Sequence, residues 1–174
     1  MQNIVLIGFS GTGKTTVGKL LAERLGYAFI DIDHEIERNC GMSVEEIFHV
    51  HGEEYFRGQE RMAIRNMLNI NGAVIATGGG AVLSTENVSD LKSCGTVIWL
   101  QAPAERILGR IERDTVARPL LNKPDRLQII RKMLQERNEK YSAADFSVET
   151  GDDFPWDVSE KIMENLSRRG FRNQ

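Results

Sequence analysis

Cysteine is scarce in this sequence. Its 174 residues include only Cys40 and Cys94, and no C-x-x-C pair occurs. Two cysteines are too few for the disulfide framework of a small secreted protein, and the missing C-x-x-C pair removes the usual redox and zinc signatures. The simplest expectation is therefore a protein of the reducing cytoplasm.

Long apolar runs and a surplus of one charge are missing as well. The apolar runs are well short of the ~20 residues that span a bilayer. The start Met1-Gln2 lacks the basic region of a signal peptide. The 22 basic and 25 acidic residues are mixed along the chain and give a net charge of −3, which argues against nucleic acid as the main ligand. We expect a monomer that binds neither a membrane nor nucleic acid.

Apolar runs and helical patterns alternate along the chain. At 174 residues and 41% hydrophobic content, it is long enough for one well-packed domain, 1–174. The alternation predicts an α/β fold in which helices cover both faces of a parallel sheet. The predicted strands are 3–7, 28–31, 73–77, 96–100 and 146–148, and the predicted helices are 14–25, 44–69 (with a break), 84–91, 104–111, 126–142 and 156–167. Residues 32–62, a charged helical insertion, and residues 112–124, a polar stretch with two of the four prolines, interrupt the alternation.

Residues Gly8–Thr15 fit the phosphate-binding pattern G-x-x-x-x-G-K-[ST]. The apolar run before them predicts a buried strand, and the spacing after them predicts a helix, which is the context of a P-loop. Backbone N–H groups and a helix N-terminus bind phosphate in such loops. Lys14 is expected to reach the β- and γ-phosphates, and the Thr15 hydroxyl to ligate Mg²⁺. The predicted ATP site comprises Gly11, Thr12, Gly13, Lys14, Thr15 and Thr16.

Two carboxylates, Asp31 and Asp33, stand at alternate positions where the second strand is expected to end. Alternate residues of a strand point to the same side. An aspartate at this place can hold Mg²⁺ through its water shell or accept a proton from an attacking hydroxyl. A turn or helix cap at Asp33 fits the sequence equally well.

Further motifs follow at wider spacing, each with a plain structural alternative. In the segment Gly52–Glu60, Arg57 has glutamates at i−4 and i+3, which also suits a surface ion pair on a helix. The triple glycine 78–80 follows the third predicted strand and allows the backbone to approach a ligand closely, but it also suits a flexible loop. Residues 118–121 read Arg-Pro-Leu-Leu, and Arg137 precedes Tyr141 by one helical turn.

Taken together and in this order, these motifs resemble the shikimate kinase family, whose members are P-loop small-molecule kinases similar to nucleoside monophosphate kinases. The resemblance extends from Gly8 to Pro155. It implies a three-layer fold with a five-stranded parallel sheet, an acceptor-binding insertion at about 32–62 and a lid at about 112–124. The implied activity is the phosphorylation of the 3-hydroxyl of shikimate by ATP with Mg²⁺, in the route to chorismate and the aromatic amino acids.

The resemblance also implies roles for residues of the acceptor site. Arg57 and Arg137 would bind the carboxylate of shikimate, a task suited to the planar guanidinium, and Glu60 would orient Arg57. Asp33 would hold the ring hydroxyls and act as the base. Gly79 would offer its backbone N–H to the substrate. The side chains expected to enclose the ring are Phe48, Phe56, Pro119 and Leu120.

The remaining implied roles concern ATP. Arg118 would move with the lid onto the phosphates, and Arg110 and Pro155 would enclose the adenine. One departure from the family pattern lies within the P-loop, where positions 9 and 10 are Phe-Ser instead of the Met or Pro and the Gly of many members. These two side chains are expected to point away from the phosphates, without a functional role.

Three alternative functions share some of these sequence features. Residues 122–125 fit the guanine-reading N-K-x-D pattern of GTPases, but the chain contains no D-x-x-G. A gluconate kinase also acts on a carboxylated polyol, so two arginines and an aspartate do not exclude it. A regulator that binds ATP without catalysis would not need Lys14, Thr15 and Asp33 together.

Overall fold

The computed structural model of this chain describes residues 2–113 and 125–171. Within these ranges the strands are β1 (Asn3–Ile7), β2 (Ala28–Asp31), β3 (Ala73–Ala76), β4 (Gly95–Gln101) and β5 (Phe146–Glu149). The helices are α1 (Lys14–Leu25), α2 (Ile32–Cys40), α3 (Val44–Asn66), α4 (Thr85–Cys94), α5 (Ala104–Arg113), α6 (Arg126–Tyr141) and α7 (Pro155–Arg168). Short 3₁₀ turns at Met67–Asn69 and Ala81–Leu83 follow α3 and the triple glycine. None of the helices in these ranges combines the length and the apolar character that a membrane span requires.

The five strands form one parallel sheet in the order β2-β3-β1-β4-β5. In the central strand, Leu6 is in register with Ala76 of β3 and with Ile98 of β4. Each connection returns the chain to the same end of the sheet, as parallel pairing requires. The carboxyl ends of all five strands therefore meet at one edge, which is where ligands bind in such folds.

Different helices cover the two faces of the sheet, and alternate residues of β1 pack against them. Ile4 and Leu6 belong to the apolar cluster completed by α1 and α7, whereas Val5 and Ile7 belong to the cluster completed by α3. Because successive side chains of a strand point to opposite faces, a strand buried on both faces must be apolar throughout. The predicted three-layer α/β fold is confirmed.

The predicted element boundaries agree with the observed ones to within three residues, and the expected break in the long helix lies at Gly52, with φ 81° and ψ 174°. The inference that Asp31 and Asp33 are alternate residues of one strand was wrong, although the predicted strand 28–31 is confirmed. Strand β2 ends at Asp31, and Asp33 lies in the first turn of α2. Burial explains the difference, because Ile32 and Ile36 are four residues apart and both face the core, which is helical periodicity.

A smaller apolar cluster connects the P-loop to two helices beyond the sheet. Phe9 packs with Ala104, Ile107 and Ile111 of α5 and with Ile130 of α6. The phosphate-binding segment therefore has packing partners outside the sheet, on α5 and α6.

Candidate active site

The P-loop lies between the carboxyl end of β1 and the start of α1. Lys14 is the first residue of α1, and its side chain is only 8% exposed. Its Nζ donates hydrogen bonds to the carbonyl oxygens of Gly8 (2.8 Å) and Phe9 (2.9 Å). The Thr12 hydroxyl also donates to the Phe9 carbonyl, at 2.8 Å. The loop is thus held closed by its own side chains, with the lysine charge kept inside it.

Thr15 and Asp31 meet beside the P-loop. The Thr15 hydroxyl donates to Oδ2 of Asp31 at 2.8 Å. The other carboxylate oxygen of Asp31 accepts the backbone N–H of Asp33 at 3.1 Å, so Asp31 is the N-cap of α2. The cap that the sequence allowed at Asp33 therefore belongs to Asp31, and the Asp33 side chain does not take part in it.

The Asp33 carboxyl lies in an acidic and poorly solvated place. Its Oδ1 is buried, without a hydrogen-bond partner among the residues described. The pKa of Asp33 is raised to about 7, first by burial and then by the negative charges of Asp31 and Glu60, while the positive charge of Lys14 opposes this shift. Desolvation and like charges both disfavour the ionised form of a carboxyl group. Asp33 therefore changes its protonation state close to neutral pH.

The triple glycine after β3 lies against three side chains that the resemblance assigns to the acceptor site. A Cβ atom on Gly78 would lie 2.7 Å from Oδ1 of Asp33 and 3.0 Å from Oε1 of Glu60. A Cβ atom on Gly80 would lie 2.5 Å from both terminal nitrogens of Arg57. A side chain at either position would have to displace these charged groups, so their close approach favours glycine here.

Gly79 connects this segment to the P-loop and to α6. A Cβ atom on Gly79 would lie 2.9 Å from the backbone nitrogen of Ser10. The Gly79 carbonyl accepts hydrogen bonds from the Arg137 guanidinium (3.0 Å) and from the Tyr141 hydroxyl (2.6 Å). The Tyr141 ring is fully buried and stacks on Trp99 of β4, with the centroids 5.4 Å apart.

Arg57 is held by two glutamates of its own helix. Its guanidinium donates to Glu60 Oε2 at 2.9 Å and to Glu53 Oε1 at 3.0 Å. The Glu60 side chain is 1% exposed, whereas that of Glu53 is 50% exposed. The ion pairs expected from the i−4 and i+3 spacing are confirmed, but the pair with Glu60 is not a surface pair. Burial raises the pKa of Glu60, and the neighbouring Arg57 limits that rise.

Arg137 has a different environment from Arg57. It is 9% exposed, and within residues 2–113 and 125–171 no Asp or Glu oxygen lies within 4.0 Å of its guanidinium. A buried cation without a paired anion is costly. The Glu60 carboxylate acts on Arg137 electrostatically from a longer distance, so within these ranges the guanidinium has no anion in contact and can pair with an anionic ligand.

Aromatic side chains flank Arg57. The Phe48 and Phe56 rings are 4.8 Å apart, and the Arg57 guanidinium lies over the Phe56 ring at 5.3 Å. Phe56 is buried and Phe48 is half-buried. The two phenylalanines that the resemblance assigned to the wall of the ring site thus lie next to the arginine assigned to its carboxylate.

The loop between β5 and α7 contacts the P-loop. Arg110 donates to the carbonyl oxygens of Thr150 and Gly151, at 2.5 and 2.8 Å. The Thr150 hydroxyl donates to the Thr12 carbonyl at 2.9 Å, which ties this loop to the P-loop. Burial lowers the pKa of Arg110. Pro155 follows this loop as the first residue of α7.

One cavity of about 500 Å³ joins these parts. It is lined by the P-loop and by residues at the carboxyl ends of three strands. The predicted site residues on its wall are Gly11, Thr12, Gly13, Lys14, Thr15, Thr16, Asp31, Asp33, Gly79, Arg110 and Pro155. Arg57, Glu60 and Arg137 contact the triple-glycine segment beside it. Arg118, Pro119 and Leu120 lie outside the described residues, and Glu112 and Arg113, assigned to the lid, belong to α5.

Sequence reasoning gave no role to several residues of the cavity wall. The wall residues without an assigned role are Ser10, Val17, Thr77, Arg113, Thr150, Asp153, Phe154 and Val158. Position offered a signal for two of them. Thr77 directly follows β3, and Thr150 directly follows β5, so both stand at the sheet edge where ligands are expected.

Comparisons with known proteins agree on one family. The model of the family described as shikimate kinase matches residues 10–167. A shikimate kinase of Caldanaerobacter subterraneus subsp. tengcongensis is 46% identical over 163 residues, which are 94% of this chain and 95% of that protein. The structure of a shikimate kinase from Acinetobacter baumannii in complex with shikimate superposes with a TM-score of 0.94 at 38% identity, over 99% of this chain and 96% of that one.

The alternative of a gluconate kinase finds much weaker support. A gluconokinase from Sinorhizobium meliloti 1021 has a TM-score of 0.60 and 16% identity, with coverage of 96% of this chain and 92% of that one. A likeness at this level shows a common fold and says nothing about the acceptor.

Proposed function

This chain belongs to the shikimate kinase family, and we propose that it transfers the γ-phosphoryl group of ATP to the 3-hydroxyl of shikimate, giving shikimate 3-phosphate and ADP. One observation of the site carries the proposal. Two arginines from different helices contact the same glycine segment beside the P-loop, and Arg137 has no carboxylate against it in the described parts of the chain. An acceptor that carries a carboxylate would supply the missing charge.

Phosphoryl transfer requires charge stabilisation and alignment more than covalent help from the protein. The acceptor oxygen forms a bond to Pγ while the bond from Pγ to the β-phosphate oxygen breaks, and ADP leaves. Lys14 and the backbone N–H groups of the P-loop would stabilise the phosphate charge. The hydroxyl proton would pass to Asp33, whose pKa of about 7 suits a general base at neutral pH.

The donor set beside the P-loop fits a Mg²⁺ ion that arrives with the nucleotide. Mg²⁺ keeps several waters and needs few protein oxygens when phosphates also bind it. Thr15 offers a hydroxyl and Asp31 a carboxylate 2.8 Å from it, and the described residues include no cluster of three His, Cys, Asp or Glu side chains that could hold a metal by itself. We propose that Thr15 ligates Mg²⁺ and that Asp31 holds its water shell. When bound, the ion neutralises charge on the phosphates.

The remaining roles divide the site between its two substrates. We propose that the insertion 32–62 binds the acceptor, with Glu60 orienting Arg57 and with Phe48 and Phe56 excluding water from the ring. Arg110 and Pro155 would enclose the adenine, and Arg118 would act on the phosphates. Together these roles describe residues 1–174 as one kinase domain with an acceptor insertion and a lid.

Release of ADP in a coupled assay tests the proposed function directly. We expect rapid release with shikimate, and at most slow release with gluconate or nucleoside monophosphates at equal concentration. Turnover of gluconate at a rate similar to that of shikimate would contradict the assignment of the acceptor. The absence of ADP release with every acceptor would instead favour a non-catalytic ATP-binding protein.

Removal of either arginine of the acceptor site should weaken shikimate binding. Arg57→Ala and Arg137→Ala each lose a charge-assisted contact of roughly 1.5–3 kcal/mol. We therefore expect the KM for shikimate to rise by roughly 10- to 150-fold, with the KM for ATP changed by less than a factor of about three. Initial rates at varied concentrations of each substrate measure both values.

Arg38→Ala is a suitable control for these variants. Arg38 lies on the neighbouring helix α2, pairs with Glu35, and has a side chain that is 70% exposed. Exposed pairs of this kind contribute little to stability, so both KM values should stay at the wild-type level. If Arg57→Ala weakened ATP binding and spared shikimate binding, the assignment of the insertion 32–62 to the acceptor would be wrong.

Replacement of Asp31 by asparagine should increase the Mg²⁺ concentration needed for half-maximal activity. Asparagine is as good an N-cap as aspartate, so α2 should keep its start and the variant should fold. The lost charge weakens the hold on the ion's water shell, and we expect a rise of about tenfold in the half-saturating Mg²⁺ concentration, the effect of outer-shell changes on metal affinity. An unchanged Mg²⁺ titration with lowered turnover would argue against this role.

A further inference from the structure

Phe9 is the residue at which this chain departs from many members of the family within the P-loop. Its side chain is 2% exposed and packs on Ile107 of α5 and Ile130 of α6. It therefore faces away from the cavity, as expected from the sequence. The expectation that it has no functional role does not follow from this orientation, because the ring has one further contact.

That contact is with the acceptor-site arginine of α6. The guanidinium carbon of Arg137 lies over the Phe9 ring, 5.6 Å from its centroid. A guanidinium at this distance is attracted by the ring quadrupole, and more strongly when both groups are removed from water. Arg137 is 9% exposed, and its guanidinium also donates to the Gly79 carbonyl at 3.0 Å and interacts with the Tyr141 hydroxyl. The ring, this carbonyl and the tyrosine together restrict the direction of the guanidinium.

The backbone of Phe9 serves the nucleotide half of the site. Its carbonyl oxygen accepts the Lys14 Nζ at 2.9 Å and the Thr12 hydroxyl at 2.8 Å. One residue therefore contacts both the lysine proposed to bind the phosphates and the arginine proposed to bind the acceptor carboxylate. No other P-loop residue in the described ranges has a ring that could support the arginine.

We propose that Phe9 is a positioning residue, whose ring holds Arg137 in the orientation that binds the acceptor carboxylate. The inference rests on the proposed function, since it presumes an anionic acceptor at Arg137. An arginine side chain loses considerable rotamer freedom when it becomes fixed. When the Phe9 ring is present, the arginine loses this freedom already on folding. Without the ring, Arg137 would become ordered only when the acceptor binds, and the entropy cost would weaken acceptor binding.

A double-mutant cycle tests the inference. Phe9→Leu keeps an apolar side chain in the cluster of α5 and α6 and removes the π face. We expect the KM for shikimate to rise roughly fivefold, which is within the range of a partly desolvated cation–π contact, while kcat and the KM for ATP change by less than about twofold. In the Arg137→Ala background, Phe9→Leu should have no further effect on the KM for shikimate.

Two controls separate positioning from loss of packing. Ile130→Val removes one methylene from the same cluster without touching Arg137, and it should leave the KM for shikimate unchanged. Phe9→Met, a second variant of similar volume, covers the case in which Phe9→Leu does not fold. The inference fails if Phe9 variants raise the KM for shikimate equally with and without Arg137, or if Ile130→Val has the same effect. An inactive wild-type protein would refute the proposed function instead.

Discussion

Lys14→Met is expected to lower the rate of phosphoryl transfer about a thousandfold, the largest loss that we expect from any single change at this site. Lys14 carries a compact positive charge at the start of α1, and its Nζ lies between the carbonyl oxygens of Gly8 and Phe9. Methionine has nearly the same length and keeps the apolar contacts of the stem, but it offers no charge and no donor to the phosphates.

The change should leave the fold intact although Lys14 is more buried than a loop lysine usually is. Its side chain is 8% exposed, and a buried lysine that loses its partners would be costly. Methionine removes the charge together with the donors, so no unpaired charge remains. The Phe9 carbonyl still accepts the backbone N–H and the hydroxyl of Thr12. The thermal transition should therefore shift by only a few degrees, within the range of the two lost hydrogen bonds to Gly8 and Phe9.

The matched control is Lys19→Met on the same helix. Lys19 is exposed, and its ammonium group lies over the Phe29 ring, far from the cavity wall. It should show wild-type kcat and a wild-type KM for ATP in the coupled ADP-release assay. Turnover of Lys14→Met within a factor of about ten of the wild type would mean that the loop is not the catalytic phosphate site.

Local patterns were sufficient to predict most of the fold. The apolar run of β1, the helical spacing of α1 and the glycine at its end mark boundaries that the structure reproduces, because each depends on neighbouring residues alone. The start of α2 was less clear for the same reason. In the segment from Phe29 to Ile36, a carboxylate at every second position suits a strand, while Ile32 and Ile36 suit a helix. Burial of the two isoleucines favours the helix.

The proposed acceptor site depends on contacts that no local pattern contains. The spacing on α3 predicts that Arg57 pairs with Glu60, but nothing near either residue indicates that both approach the glycine segment after β3. Phe9 and Arg137 are in contact although they are 128 positions apart in the sequence. For this reason the sequence indicated no functional role for Phe9. The family resemblance assigned roles to residues one after another along the chain. Only the sheet topology shows that these residues come together in space.

Asp33→Asn should separate activity from stability more sharply than any other change. Asparagine keeps the shape of the side chain and removes its charge and its basicity. A positioned base contributes about 10²–10⁴ in rate. In a loose transition state the proton moves late, which favours the lower end of that range. We expect a loss of at least ~100-fold in kcat with a KM for ATP near the wild-type value.

The pH dependence should identify Asp33 as the base. The pKa of Asp33 is raised to about 7 by burial and then by Asp31 and Glu60, so the wild-type kcat/KM for shikimate should rise with pH up to about 7 and then level off. A plot of kcat/KM reports the pKa values of the free enzyme. The Asn variant has no such group, and its residual activity should lack this limb. An identical acidic limb in the variant would show that another group titrates.

Stability should change in the opposite direction to activity. Because the pKa of Asp33 is about 7 in the folded protein, above the ordinary aspartate pKa of 3.8, the native state binds the proton more tightly than the unfolded state. Ionisation of Asp33 therefore costs stability as the pH rises from about 4 to about 7. The Asn variant escapes this cost, so its Tm should match or exceed that of the wild type at pH 8, with a smaller advantage at pH 5.

Asp31→Asn is the matched control, since it removes the neighbouring negative charge at the start of the same helix. It should keep the acidic limb of the pH profile, moved to lower pH because one of the charges that raise the pKa of Asp33 is gone. It should also keep most of its turnover at saturating Mg²⁺. Normal turnover by Asp33→Asn together with a large loss in Asp31→Asn would mean that the two carboxylates have exchanged roles, with Asp31 as the base.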